Sequence, residues 1–139
     1  MMPHPSVLIS LRSASASDRD LGERLAGWVR HLGFDPAVAS DGRQVVDRVR
    51  RRPFAATLVE YGVVGEGGVD AWRVIHPLLG RRLVLMTRDS RRDLWFEALR
   101  EGVGAVLPLP PREAMVRAAL GAATGHPVPG TGARSAPPL

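Results

Sequence analysis

The sequence predicts an α/β fold: a five-stranded parallel sheet with helices on both faces. Three observations predict it. Short apolar runs alternate five times with segments whose apolar residues recur at helical spacing. The third and fourth runs, FAATLV and RLVLMT, are apolar almost throughout, as strands covered on both faces must be. The connections are short and rich in Gly, Pro, Ser and Asp. With 139 residues, the chain is long enough for one domain with a real core.

Ser6–Leu11 (SVLISL) reads as the first buried strand, and RSASAS after it as a polar loop. Ser17 caps the first helix, with Asp18 and Asp20 favourable in its opening turn. Leu21, Leu25, Trp28 and Leu32 share one helical face, and Gly33 supplies a left-handed end. Phe34–Ala39 is a weaker strand, which Pro36 consigns to an edge or to a strand's first residue. Ser40 or Asp41 caps the second helix, which turns Val45, Val46 and Val49 inward and stops at Pro53. Phe54–Val59 is the third and central strand, followed by the glycine-rich loop Tyr61–Gly68.

The third helix spans Val69–Leu79, with Val69, Trp72, Arg73 and His76 at helical spacing and Pro77 weakening its end. Arg82–Thr87 is the fourth strand. Ser90–Glu101 is the fourth helix, with Leu94, Trp95, Ala98 and Leu99 inward, Phe96 outward and Gly102 at its end. Gly104–Leu107 is the fifth strand and Pro108–Pro111 a rigid turn. The fifth helix, Arg112–Ala123, turns Met115, Val116, Ala119 and Leu120 inward. Residues 1–123 form the domain. Residues 124–139 have no apolar period and read as a disordered tail or linker stub.

Composition removes several chemistries. Without cysteine there is no disulfide, thiolate metal site or thiol nucleophile. All 19 basic residues are Arg, so no lysine ammonium operates, and the net charge is +5. His4, His31, His76 and His126 lack metal-ligand spacing. GVVGEGG lacks the Gly-Lys-Ser/Thr ending of a phosphate-binding loop and is read as a turn. The amino-terminal segment has neither the charge nor the apolar length of a signal peptide. The expectation is a cytoplasmic, non-enzymatic protein without metal or cofactor.

In parallel α/β sheets, ligands bind beyond the carboxyl ends of the strands. At those positions, over roughly residues 6–122, the chain resembles the receiver domain of two-component response regulators. FAATLVEYGVVGEGGVDAWRVI looks like that family's third strand, acceptor loop and third helix. LVLMTRDS looks like its fourth strand with the switch threonine, and EGVGAVLPLP like its fifth strand with the Lys-Pro turn. The spacings from Glu60 to Thr87 and from Thr87 to Leu109, 27 and 22 residues, also match. The resemblance implies the flavodoxin-like strand order 2-1-3-4-5.

Carried over residue by residue, most of the phosphoryl chemistry is missing. Glu60 stands at the phosphoacceptor aspartate position. Leu109, followed by Pro110, stands at the lysine position, and Val106 at the switch aromatic position. Leu11 and Arg12 replace the acidic pair after the first strand. Thr87 keeps the family's identity, as do the structural glycines Gly68 and Gly102. Losing two carboxylates and gaining an arginine is hostile to a hard cation. Losing the lysine removes a charge that steadies phosphoryl oxygens. Asp18 or Asp20 would be the acidic replacements if the first loop folded back. Glu60 would either mimic a phosphorylated aspartate or be a strand-end acid without a role. Arg12 is expected to pair with Glu60 in the metal's place.

The leading reading is a phosphorylation-independent signalling or regulatory interaction module, in the manner of the regulatory domain of a response regulator or transcription factor. An atypical but phosphorylatable receiver, and an arginine-based nucleic-acid binder, are the alternatives. The expected partner is a protein or an attached output domain, with a homodimer through helix four, strand five and helix five as a further arrangement. Trp95, Phe96 and Arg92 mark the expected interaction surface, Phe96 because an exposed aromatic anchors interfaces.

Overall fold

The computed structural model describes residues 5–12, 15–61, 71–88 and 92–125, apart from the side chains of 71–73 and 92–94. The five apolar runs become strands β1 (Ser6–Ser10), β2 (Asp35–Val38), β3 (Ala56–Glu60), β4 (Leu83–Thr87) and β5 (Ala105–Pro108). All neighbouring strands run parallel, in the order β2-β1-β3-β4-β5. The central strands β3 and β4 are buried at every residue. β2 is an edge strand, which explains how Pro36 fits opposite Val7 without a backbone N–H.

Five α-helices are described: α1 (Ala16–His31), α2 (Gly42–Arg51), α3 (Ala71–Leu79), α4 (Arg92–Arg100) and α5 (Glu113–Thr124). A 3₁₀ turn, Gly80–Arg82, joins α3 to β4. Alternation along the strands divides the interior in two. On one face Val7, Ile9, Leu58, Val84 and Met86 pack with Leu25 of α1 and Leu120 of α5. On the other, Leu8, Val59 and Leu85 pack with Val45 of α2, Ile75 of α3 and Ala98 of α4.

Several local expectations are corrected. The α1 cap is Ser15, not Ser17: its Oγ accepts from the Asp18 N–H at 3.2 Å. The serine-rich loop offers several capping registers. Ser15 stands three residues before Asp18 and Ser17 three before Asp20, so this spacing does not choose between them. The α1 stripe runs through Val29, with Trp28 only half-buried beside it. Among the described side chains of α3 the buried ones are Ile75 and Leu79, and the helix continues past Pro77; Val69 and the side chains of Trp72 and Arg73 lie outside the described residues. Leu99 of α4 and Met115 of α5 face solvent, 45% and 36% exposed. α4 buries Ala98 and half-buries Trp95. Val116, Ala119, Leu120 and Ala123 form the inner face of α5.

Asp41 is the α2 cap, its Oδ1 accepting from the Gln44 N–H at 2.9 Å. Gly33 follows α1 at φ 96°, a conformation that favours glycine. Gly104 is required for a different reason, since a Cβ there would strike the Arg81 carbonyl. The expected loop over 61–68, except Tyr61, and the tail from residue 126 lie outside the described residues.

Candidate functional site

The carboxyl ends of β1, β3 and β4 and the turn after β5 bring Leu11, Arg12, Glu60, Thr87, Arg88 and Leu109 toward one end of the sheet. Glu60 ends the central strand and is only 3% exposed. A carboxylate so far from water must be hydrogen-bonded and paired. Its two oxygens are both engaged. The Arg12 backbone N–H donates to Oε1 at 3.0 Å, and Arg88 Nε donates to Oε2 at 2.9 Å. The sheet register, with Glu60 opposite Met86, carries the chain after β4 to the level of this carboxylate.

Arg88 reaches a second acid from elsewhere in the chain. Its NH2 group donates to Asp18 Oδ1 at 2.8 Å, across 70 residues. Asp18 sits in the first turn of α1, anchored by its own N–H on the Ser15 cap. The two carboxylates are well covered, with side chains 4% and 11% exposed, whereas Arg88 is 44% exposed. Partial burial of the guanidinium opposes its charge. The hydrogen bonds that Arg88 donates to Asp18 and Glu60, and the negative charge of those acids, outweigh that cost and raise the Arg88 pKa above its ordinary value.

The expected Arg12–Glu60 ion pair is therefore corrected. Arg12 contributes its backbone while its side chain is exposed, and Arg88 provides the pairing cation. Arg88 follows Thr87 directly, but nothing local in the sequence reveals a partner 70 residues away. The only available signal was position: a cation one residue past β4, beside an acid ending the adjacent β3.

The remaining expected residues divide. Leu11 is buried in the core face shared with α1, and Leu109 packs against the same face. The Leu109 N–H donates to the Thr87 carbonyl at 2.9 Å, tying the turn after β5 to β4, and the Leu109–Pro110 bond is cis. Pro110 is exposed. Thr87 is 3% exposed. Val106 is half-buried against the α2–α3–α4 face. Asp18 joins the site, but Asp20 pairs with Arg24 on the exposed side of α1. Phe96 is 61% exposed and Trp95 half-buried. The Arg92 side chain and Gly68 lie outside the described residues. Beside Asp18, a cleft of about 270 Å³ between α1 and the first two strands is walled by Ile9, Leu11, Gly22, Ala26 and Val38, largely apolar.

The receiver resemblance implies a magnesium ion at this end of the sheet, and the donors among the described residues do not suit one. A hard cation needs several free oxygens. Both Glu60 oxygens already accept N–H donors, Asp18 shares the same guanidinium, and the end of β1 supplies Leu11 and the exposed Arg12. Among the described residues, no three His, Cys, Asp or Glu gather as a metal-binding group. Among them also, no helix is long and apolar enough to cross a membrane.

No protein-family model and no curated protein matches the chain. Solved structures do. The receiver domain of a Francisella response regulator superimposes with a TM-score of 0.71 at 13% identity, covering 87% of this chain and 97% of that one. A sensor protein from Polaromonas sp. JS666 gives 0.69 at 24% identity, covering 88% and 98%. The receiver domain of a sensor histidine kinase from Pseudomonas aeruginosa, solved with magnesium coordinated in its active-site cleft, gives 0.68 at 20% identity, covering 88% and 99%. At these identities the likeness shows the fold: this chain has the receiver fold.

Proposed function

We propose that this chain is a receiver-fold signalling module that works without phosphorylation, through contact with a protein partner or an attached output domain. One observation carries the reading. The residue at the acceptor position, Glu60, is buried with both carboxylate oxygens engaged, one by a backbone N–H and one by a guanidinium. A carboxylate attacks a phosphoryl group through an oxygen lone pair that faces it. It also needs cations to offset the charge that accumulates during transfer. Here the cation present holds the nucleophile itself, and Leu109 offers no charge where the family's lysine would stand.

The partner-facing surface in this reading is α4. It buries Ala98 and half of Trp95 while holding Phe96 and Leu99 out to solvent. Exposed aromatic and aliphatic side chains on one short helix suit a protein contact better than a polyanion.

The test is incubation of the purified chain with Mg²⁺ and a small-molecule phosphoryl donor, followed by intact-mass measurement. The expected outcome is the unmodified mass. A phosphoryl adduct that disappears in Glu60→Gln would overturn the proposal in favour of a phosphorylatable receiver.

A further inference from the structure

We infer that Glu60 and Asp18 form a cation site whose resident cation is the Arg88 guanidinium, a tethered substitute for a free metal ion. The inference rests on the reading of this pocket as one that does not transfer phosphoryl groups. It adds what occupies the pocket in place of that chemistry.

Three features argue for it. The first is the geometry of the contacts. Two nitrogens of one planar guanidinium reach two carboxylates from different elements, Nε to Glu60 at 2.9 Å and NH2 to Asp18 at 2.8 Å. Guanidinium can take both because its donors form a rigid fork, which an ammonium on a flexible stem cannot reproduce. The second is the order of burial. The acids are the covered partners and the cation is the more exposed one. An ordinary surface pair would leave both partners wet and contribute little. Here removing Arg88 takes from two covered acids the guanidinium they share. The third is connectivity. Arg88 follows β4, Glu60 ends β3 and Asp18 opens α1, so one side chain joins three elements. A divalent ion shared by the same two carboxylates would make the same connection.

The charge balance gives the site its behaviour. Two carboxylates share one guanidinium, and because that occupant is tethered to the chain it needs no ion from solution. The pocket is therefore occupied in the absence of metal. With Arg88 removed, both carboxylates lose the guanidinium they share, and hard divalent ions seek oxygen donors of this kind.

The experiment follows the melting temperature of the whole chain in Mn²⁺ titrations, with calorimetry as a direct reading of binding. No phosphoryl donor is present, so the result is independent of whether Glu60 accepts phosphate. Wild type is expected to show no shift and no binding heat. Arg88→Ala is expected to melt lower and to recover as Mn²⁺ is added, by on the order of 5 °C at ten times its Kd. Arg88→Ala combined with Glu60→Gln is expected to lose that response. Mn²⁺ binding to wild type as tight as to Arg88→Ala would overturn the inference, as would Arg88→Ala that ignores Mn²⁺. If Arg88→Ala does not fold, folding restored by Mn²⁺ supports the inference. Arg88→Gln, which keeps a neutral donor for Glu60, then repeats the titration. Failure of both variants to respond to Mn²⁺ counts against it. A phosphoryl adduct on wild-type Glu60 would sink the functional reading and leave this titration to stand or fall separately.

Discussion

Replacing Arg88 by Met keeps the side-chain bulk but leaves Glu60 with only the Arg12 N–H. A buried acceptor that loses a charged partner costs about 1–3 kcal/mol, and urea unfolding of Arg88→Met against wild type should read that loss. The pH dependence has a defined sign. The Arg88 pKa is raised in the folded protein, so its contribution is complete below the unfolded value and is lost only as pH rises through the folded one. Both lie above ordinary working conditions. The stability gap between wild type and Arg88→Met should therefore stay flat from about pH 7 to about pH 10, whereas an Arg88→Lys variant should lose its residual advantage as the ammonium titrates near pH ~10.4. Unfolding midpoints at a series of pH values check both. The sequence made Glu60 and Thr87 visible, because each ends a strand at a recognisable spacing. It did not make the Arg88–Asp18 contact visible, since that contact depends on where the first turn of α1 sits in space. Nor did it separate Arg12 from Arg88 as the partner of Glu60, because both follow strand ends that neighbour β3.

Among the described side chains, α4 buries Ala98 and leaves Phe96 and Leu99 exposed. Phe96→Asp should leave stability within about 0.5 kcal/mol of wild type, because an exposed side chain makes little native packing. The same change should abolish capture of the partner that wild type retains. Chemical unfolding and pull-down on the same preparations separate the two effects. A large stability loss would mean that Phe96 serves the fold instead. Strand β3 supports a contrasting prediction. Thr57 is fully buried in its centre, and its hydroxyl has no hydrogen-bond partner among the described residues. Thr57→Val is nearly isosteric and removes the unpaired group, so it should raise stability by about 1 kcal/mol, read as a higher urea midpoint at unchanged slope. Helix and strand placement was legible because apolar periodicity is a backbone-level signal. The inward face of a short helix was not always so. In α4 and α5, neighbouring apolar residues at adjacent stripe positions compete for one edge of the sheet, and packing against β5 selects Ala98 over Leu99 and Val116 over Met115.

The molecule as a whole is a single sheet serving two interiors, and this bears on how it unfolds. Leu25 belongs to the α1–α5 face and Leu85 to the α2–α3–α4 face, and both are essentially fully buried. Because the strands alternate side chains between the faces, neither interior can be lost while the strand ladder stays intact. β3 alone pairs with β1 and β4 and sends Leu58 to one core and Val59 to the other. Leu25→Ala and Leu85→Ala should each cost about 2–5 kcal/mol, the usual range for a large-to-small change in a packed core. More tellingly, each should lower one common transition without splitting it. In a background carrying Trp72→Phe and Trp95→Phe, fluorescence of Trp28 provides a local reporter of the α1–α5 core, against which it packs, while far-ultraviolet circular dichroism reports all the helices. Coincident transitions by the two probes in both variants would establish one cooperative unit, so that a partner gripping α4 also stabilises the pocket at the far ends of β3 and β4. Separate transitions would mean that the two faces melt independently. Contact at α4 would then be energetically disconnected from the Glu60–Arg88–Asp18 bridge.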